Sequence, residues 1–251
     1  MITNTTFTNR INFFNQDLSW NIVCDFDGTI SLVDVTDSLL VQFASPEWKQ
    51  IEKVWQDGLI GSRQCLAQQI PLLDMSRIEL NDHLDQIEID PDFPAFVTEI
   101  QKQGHKITVV SDGLDYAINR ILNRYGLDSL VIKANKLIQH SERSWRVTFP
   151  YTQLDCEISS GNCKCVIAQH QSENTKIDKS LLIGDGTSDF CVAGKVDFVF
   201  AKNTLIKHCI KEKILHYPME NFAQVRSLFT EFNLESASIL LLEFKEETKV
   251  R

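Results

Sequence analysis

Four short apolar runs set the fold class of this chain of 251 residues. Helical patterns separate these runs, which are Asn21–Cys24, Lys106–Val110, Ser180–Ile183 and Asp197–Phe200. A nearly continuous apolar run is typical of a strand that is buried on both faces, as in a parallel sheet covered by helices. The sequence therefore predicts an α/β fold with a doubly wound, mostly parallel sheet.

The spacing of the runs also predicts how the chain is divided. About 80 residues without a strand pattern follow the first run, and they contain helix signals such as the capping box Ser76-Arg77-Ile78-Glu79. We expect a helical cap inserted after the first strand, and a small β-hairpin whose two strands flank residues 141–143. The predicted units are an N-terminal arm (1–17), a core (18–30 and 97–220), the cap (31–96), the hairpin insertion (131–156) and C-terminal helices (221–251).

Charge and hydropathy exclude several classes of function. The chain has 25 Lys and Arg against 34 Asp and Glu, a net charge of −9, so it lacks the basic footprint of a nucleic-acid-binding protein. Its densest apolar stretch, Ile239–Leu242, is far too short to span a bilayer. The first residues lack the basic start and apolar centre of a signal peptide, and seven cysteines, an odd count, favour reduced thiols. We expect a cytoplasmic protein that binds neither nucleic acid nor membranes.

The sharpest local signal is Asp25-Phe26-Asp27-Gly28-Thr29, directly after the first predicted strand. Side chains two residues apart at the end of a strand point the same way, so Asp25 and Asp27 can meet one ligand. An ionised aspartate is a nucleophile without the help of a base, and a neighbouring carboxyl group can protonate the leaving group and then activate water. A solvated turn is the other interpretation, because Asp-Gly is a common turn pair.

Two further strand ends carry comparable motifs. Ser111-Asp112-Gly113 precedes a helical pattern, and a hydroxyl beside free N–H groups at a helix start is typical of an anion site. A helix cap without a ligand is the alternative there. Gly184-Asp185-Gly186-Thr187-Ser188-Asp189 adds two carboxylates at a third strand end, where a plain turn is the alternative. Ligands of open α/β sheets bind at the carboxyl ends of the strands, so we expect these motifs to converge.

Four converging carboxylates would repel one another and a phosphate group. One lysine and one Mg²⁺ change the joint charge of Asp25, Asp27, Asp185 and Asp189 from −4 to −1, or to zero when Asp27 is protonated. The chemistry therefore demands a hard divalent cation and a nearby lysine. We choose Lys164, at a predicted helix start; an ordinary surface lysine is the alternative.

In this order, the motifs DFDGT, SDG, a lysine and GDGTSD resemble the four motifs of the haloacid dehalogenase-like hydrolase superfamily. The resemblance spans residues 20 to about 202. It implies a Rossmann-like core, and the helical insertion resembles the cap of the phosphoserine-phosphatase-like branch. It also implies a Mg²⁺-dependent phosphatase that works through an aspartyl-phosphate intermediate.

The resemblance further implies a role for each matching residue. The nucleophile is Asp25, and the general acid and base is Asp27. The phosphoryl oxygens are held by four residues: Ser111, Asp112 and Gly113 (the last two through their N–H groups), and Lys164. Mg²⁺ is held by Asp25, the main-chain carbonyl of Asp27, and Asp185, with Asp189 in support.

Within that branch the chain most resembles the methionine-salvage phosphatases that act on 2-hydroxy-3-keto-5-methylthiopentenyl-1-phosphate. The shared features are Asp34, the cap segment Ala44–Trp48, Asp115 and a cysteine-rich stretch that runs into Lys164. The second motif departs from that group, with Ser-Asp-Gly in place of Ser-Gly-Gly, and the cysteine cluster is thinner. We expect Asp34 at the hinge between core and cap, where its carboxylate can contact the substrate.

The motifs leave other substrates and functions open. The segment GDGTSDFC also resembles phosphoethanolamine/phosphocholine phosphatases, and phosphoserine is a further candidate, although phosphoserine phosphatases usually carry Glu in place of Asp34 and Asn in place of Ser188. A phosphomutase and a non-catalytic binding protein on this fold are the remaining alternatives. We expect a small phosphomonoester as the substrate, because a closing cap has no room for a phosphoprotein or polynucleotide. Related phosphatases form dimers, so a homodimer is open to this chain, although the sequence shows no interface.

Three cysteines, Cys156, Cys163 and Cys165, raise the question of a zinc site. Their spacing is not the paired C-x-x-C of standard zinc sites, and a fourth ligand is not evident. We interpret them as reduced structural thiols.

Overall fold

A computed structural model describes residues 19–156, 158–169 and 179–230. The strands of these residues are β1 (Trp20–Cys24), β2 (Lys106–Leu114), β3 (Val131–Gln139), β4 (Trp145–Thr148), β5 (Lys179–Gly184), β6 (Phe198–Ala201) and β7 (His216–Pro218). They form one sheet in the order β4-β3-β2-β1-β5-β6-β7. Every neighbouring pair is parallel except β3 and β4. The expected α/β fold with a mostly parallel sheet is confirmed.

The α-helices of the described residues are α1 (Val35–Phe43), α2 (Trp48–Gln56), α3 (Ser62–Gln69), α4 (Arg77–Leu84), α5 (Phe93–Lys102), α6 (Asp115–Asn123), α7 (Lys164–Gln169), α8 (Phe190–Ala193), α9 (Asn203–Glu212) and α10 (Phe222–Thr230). The first five follow β1 and precede β2, in the part of the chain where the sequence predicts a helical cap. The Ser76 capping box is present, since Ser76 Oγ accepts the Glu79 N–H at 3.2 Å and Glu79 Oε2 accepts the Ser76 N–H at 2.7 Å. The division of the chain into core and cap stays a prediction.

The central strands are covered on both faces. Along β1, Ile22 packs into a core cluster that includes Phe93 from α5, while its neighbour Val23 packs into a second cluster with Leu182 of β5 and Leu205 of α9. All five residues of β1 are buried. Because the polar ends of these strands are the parts that can reach solvent, ligand-binding side chains concentrate there.

The predicted hairpin is also part of the main sheet. The first half of β3 pairs in parallel with β2, with Ile132 opposite Val109, and its second half pairs antiparallel with β4, with Leu137 opposite Val147. The expected hairpin is therefore present as β3 and β4, and β3 is a continuous strand that also extends the sheet and carries β4 at its edge. The bounds of the insertion (131–156) stay a prediction.

The smallest strand, β7, was missed by the sequence analysis. Its three residues pair with β6, with Val199 opposite His216, and a strand this short shows no periodicity in the sequence.

The predicted arm (1–17) and the part of the predicted C-terminal helices after residue 230 lie outside the described residues. Among the helices that are described, none has the length and apolar character needed to cross a bilayer.

Candidate active site

A cavity of about 1050 Å³ opens at the carboxyl ends of β1, β2 and β5. The predicted site residues that line it are Asp25, Asp27, Asp34, Ser111, Asp112, Gly113 and Asp185. The helices α1, α2 and α3, with the loops beside them, supply much of the remaining wall. The structure therefore brings residues from three separate motifs to one cavity, while Lys164 and Asp189 lie buried behind it.

Lys164 pairs with two buried carboxylates at the bottom of the site. Its Nζ lies 2.8 Å from Asp25 Oδ2 and 2.7 Å from Asp189 Oδ1, and it donates to Ser188 Oγ at 3.0 Å. Only 2% of Lys164 is exposed, which excludes the alternative of a surface lysine. Burial opposes the charged form, but Asp189 and Asp25 raise the pKa of Lys164 above its ordinary value. Burial likewise raises the pKa of Asp25 well above its usual range, and the Lys164 ammonium works against that shift.

Asp27 is held by two donors from different parts of the chain. Its Oδ1 accepts the N–H of Val35, the first residue of α1, at 2.9 Å, and its Oδ2 accepts the Ser111 hydroxyl at 3.1 Å. Burial, together with the negative charge of Asp34, raises the pKa of Asp27 to about 8. Asp27 therefore carries a proton at neutral pH, which suits a group that must protonate a leaving alkoxide.

Two glycines let the carboxylates approach the backbone closely. Gly28 has φ +69°, in the left-handed region that favours glycine, and a Cβ there would lie 2.6 Å from Asp185 Oδ2. A Cβ on Gly113 would lie 2.6 Å from Asp27 Oδ2. Any side chain at either position would displace one of the site carboxylates.

Three carboxylates form a group that could hold a metal ion. Asp25, Asp185 and Asp189 each offer one oxygen, and these oxygens lie within 4.8 Å of one another. Burial raises the pKa of Asp185 as well. An all-oxygen, anionic donor set is what a hard cation such as Mg²⁺ prefers, so the residues fit the expected metal. The predicted contribution of the Asp27 carbonyl stays a prediction.

The Asp112 side chain joins three segments around the site. Its carboxylate accepts the hydroxyl of Ser62, at the start of α3, and the N–H of Asn162, each at 2.6 Å. The Asn162 amide in turn donates to the carbonyl of Ser111 at 2.9 Å. Asp112 thus ties the helices after β1 to β2 and to the loop before α7. These contacts give a structural role to Asp112, the residue at which the second motif departs from Ser-Gly-Gly.

One of the two N–H groups expected to hold phosphoryl oxygens, that of Gly113, has a partner within the second motif. The Gly113 N–H donates to Ser111 Oγ at 2.8 Å, so it stabilises the motif internally.

The sequence did not indicate Ser62 and Asn162 as site residues. Asn162 lies two residues before Lys164, which is a weak signal, and no sequence pattern singles out Ser62.

Two residues of the subfamily resemblance have structural roles. Asp34 lines the cavity and caps α1, accepting the Asp37 N–H at 2.8 Å, and burial raises its pKa. Asp115 begins α6 and accepts the N–H of Leu137 in β3 at 2.9 Å. Asp115 therefore joins α6 to the sheet, and it does not line the cavity.

The cysteines near α7 are free thiols. Within the described part of the chain, the group of ligand atoms close enough for a metal is the aspartate group, and Cys156, Cys163 and Cys165 do not form another. Cys165 instead lies beside Cys191, with 3.2 Å between the two Sγ atoms.

Comparison with known proteins identifies the family. The family model described as "Putative Phosphatase" matches residues 21–239. A 2-hydroxy-3-keto-5-methylthiopentenyl-1-phosphate phosphatase from Exiguobacterium sp. is 30% identical over 220 residues, covering 86% of this chain and 100% of the relative. The chain belongs to this phosphatase family. A phosphatase of the same name from Exiguobacterium sibiricum is 29% identical over 81% of this phosphatase and 93% of its own length.

Solved structures agree with the fold of the phosphatase. One described as a phospho-aspartyl intermediate analogue of phosphoserine phosphatase matches with a TM-score of 0.64 and 22% identity, covering 86% of this chain and all of the other. The resemblance to the methionine-salvage phosphatases is confirmed, and this phosphoserine phosphatase shares the fold that the resemblance implies. The protein is a phosphatase; the roles of its individual site residues stay predictions.

Removing the Lys164 charge should strongly destabilise the fold. In Lys164→Met, Asp25 and Asp189 stay buried without their cation, so in EDTA we expect the free energy of unfolding to fall by about 3–5 kcal/mol. Urea denaturation measures this loss. The control is Lys179→Met, because Lys179 pairs with Asp197 at the same 2.8 Å but both side chains are about one-third exposed, and such pairs contribute about 0–1 kcal/mol. Equal losses in the two variants would contradict the buried ion-pair account.

Proposed function

We propose that this phosphatase hydrolyses a small phosphorylated metabolite with Mg²⁺, through an aspartyl-phosphate intermediate on Asp25. The observation that carries the proposal is that two carboxyl groups with different surroundings line one cavity. Asp25 lies 2.8 Å from the Lys164 ammonium. Asp27 has no such ion pair with another described residue, and its pKa is about 8. The Lys164 ammonium favours the ionised, nucleophilic form of Asp25 against the effect of burial, whereas the raised pKa of Asp27 suits it to carry a proton.

In the first step the Asp25 carboxylate attacks phosphorus, and the bond from phosphorus to the substrate oxygen breaks. Asp27 gives its proton to the leaving alkoxide and becomes a carboxylate. Ser111, which donates to Asp27 in the free protein, can turn its hydroxyl to a phosphoryl oxygen. In the second step Asp27 takes a proton from water as the water attacks phosphorus. The bond between phosphorus and the Asp25 oxygen breaks, which releases phosphate and restores the Asp25 carboxylate.

Asp25, Asp185 and Asp189 would hold Mg²⁺, together with the carbonyl of Asp27. When bound, Mg²⁺ offsets the negative charge of the nucleophile and of the phosphoryl oxygens. Lys164 supplies a permanent positive charge on the buried side of the same carboxylates. The description of a solved phosphoserine phosphatase as a phospho-aspartyl intermediate analogue supports the same chemistry here.

We rank a methionine-salvage-type keto or enol phosphate first among substrates. The names of the two relatives support this ranking, and the cavity wall includes apolar side chains such as Trp55, Leu59 and Ile158 that can receive an apolar tail. Cytoplasmic location and a homodimer stay predictions.

A second candidate is an amino-alcohol or amino-acid phosphate, such as phosphoethanolamine, phosphocholine or phosphoserine. Asp34, Asp37 and Glu52 line the same cavity, and burial with the charges of Asp34 and Glu52 raises the pKa of Asp37 to about 7. A cationic group on the substrate would relieve this repulsion.

Asp25→Asn should abolish turnover, because a neutral amide cannot attack phosphorus. We expect kcat to fall by about 10⁴-fold or more, with circular dichroism and the urea midpoint showing a folded protein. Asp82→Asn, on the exposed side of α4, is the matched control and should keep full activity. Asp25→Asn with more than a trace of activity would remove Asp25 from the role of nucleophile.

Metal removal should stop the reaction reversibly. EDTA is expected to end phosphate release, Mg²⁺ to restore it, and Ca²⁺ to restore it poorly, because the larger and looser shell of calcium would hold the carboxylates less tightly. Phosphate release measured after each addition tests this order. Undiminished activity in excess EDTA would exclude the proposed metal site.

A panel of phosphomonoesters should separate the two substrate classes. We expect the highest kcat/KM for a keto or enol phosphate with an apolar tail, a lower value for phosphoethanolamine and phosphoserine, and a poor one for a phosphopeptide. Glu52→Gln should raise KM for the amine substrates alone, with Glu47→Gln, outside the cavity, as its control. A phosphopeptide that matches the best small metabolite would show that the helices after β1 do not close over the site.

A further inference from the structure

Two free cysteines lie in contact between the segments that carry Lys164 and Asp189. Cys165 follows Lys164 at the start of α7, and Cys191 lies on α8, two residues after Asp189. Their Sγ atoms are 3.2 Å apart, close to the contact distance of two sulfur atoms. The Lys164–Asp189 ion pair, at 2.7 Å, connects the same two segments. Any covalent bond between the sulfurs would therefore act directly on the buried ion pair.

The two thiols differ in exposure and in chemistry. Cys165 is buried, whereas Cys191 is half-buried, so a small reagent can reach the pair from the Cys191 side. The hydrogen bond with Cys191 lowers the pKa of Cys165 to about 6, although burial opposes the shift. At neutral pH Cys165 is thus largely the thiolate, which is the form that reacts with oxidants.

We propose that Cys165 and Cys191 are a reversible dithiol–disulfide site, oxidised by a hydroperoxide and reset by a thiol reductant, and that its oxidation lowers phosphatase activity. The part about activity rests on the proposed function, whereas the part about the disulfide does not.

Oxidation by hydrogen peroxide takes two electrons from the two sulfurs in two steps. The Cys165 thiolate attacks one oxygen of hydrogen peroxide and breaks the O–O bond, which gives a sulfenic acid on Cys165 and hydroxide. The Cys191 sulfur then attacks the Cys165 sulfur, and the hydroxyl leaves as water with the Cys191 proton. The two sulfurs together lose two electrons and the peroxide gains them. The hydroxide takes up the proton that Cys165 released when it ionised, so the net products from two thiols and one peroxide are one disulfide and two water molecules.

The disulfide would disturb the site through the two helices. A covalent S–S bond is shorter than the present separation of 3.2 Å, so forming it pulls the Cys165 and Cys191 side chains, and the helices α7 and α8 that carry them, towards each other. Lys164 and Asp189 lie within two residues of the bonded cysteines, and the buried ion pair depends on distances below 3 Å. A shift of the Lys164 ammonium away from Asp25 would weaken the ion pair that favours the ionised form of this nucleophile.

To test the proposal, the fully reduced protein is treated with hydrogen peroxide, and the peroxide is then removed with catalase. The remaining thiols are blocked with an alkylating reagent, and the peptides are mapped by mass spectrometry. We expect a Cys165–Cys191 cross-linked peptide, an intact mass lower by two hydrogens, and reversal by dithiothreitol. Cys191→Ser should stop at a sulfenic acid on Cys165, trapped by dimedone. Cys209→Ser, which removes a buried thiol of α9, is the control and should still form the cross-link.

Several outcomes would overturn the proposal. They are the absence of a cross-link, a cross-link between other cysteines such as Cys156 and Cys163, and stoichiometric zinc that shields the thiols and is lost in Cys165→Ser.

Activity is measured on the same samples. Peroxide should lower kcat several-fold in the wild-type protein, dithiothreitol should restore it, and the treated and untreated Cys165→Ser samples should be equal. A disulfide that leaves kcat unchanged would overturn control of the site. A reduced protein that hydrolyses no phosphomonoester would overturn the proposed function and leave the cross-linking result intact.

Discussion

The buried contact of Lys164 with Asp25 and Asp189 is the interaction on which the rest of the site depends. Three charges inside the protein are tolerable only when they are paired, and here one ammonium lies within 2.8 Å of both carboxylates. Because β1 supplies Asp25, α7 supplies Lys164 and the segment after β5 supplies Asp189, the ion pairs also fix the relative positions of these elements. The same contact makes the site sensitive to any change between α7 and α8.

The helices after β1 are joined to this centre by hydrogen bonds that involve the site carboxylates themselves. Val35 donates to Asp27, and Ser62 donates to Asp112. Each bond joins a residue of the helical segment to a residue at the end of a central strand. The position of these helices over the cavity and the orientation of the proposed acid are therefore physically coupled, so substrate specificity and proton transfer are expected to respond together to changes at either bond.

The sequence was most informative where local chemistry and topology agree. The apolar runs of β1 and β5 end directly in Asp25 and Asp185, so buried strands alone predict where these carboxylates meet. What could not be predicted depends on contacts between distant residues. Ser62 and Asp112 are 50 positions apart, and Cys165 and Cys191 are 26 apart, with no local pattern that links them. β7 is too short to show periodicity, and β3 serves two neighbours with a single run.

The central claim, a covalent bond between Asp25 and phosphorus during turnover, has a direct test. The protein is mixed with Mg²⁺ and a good substrate, quenched in acid within one turnover, and reduced with borohydride, which converts an acyl phosphate on aspartate to homoserine. Peptide mass spectrometry then locates the modified position. We expect homoserine at position 25 in the wild-type protein only when substrate is present. Modification at Asp27 or elsewhere, or none during active turnover, would contradict it.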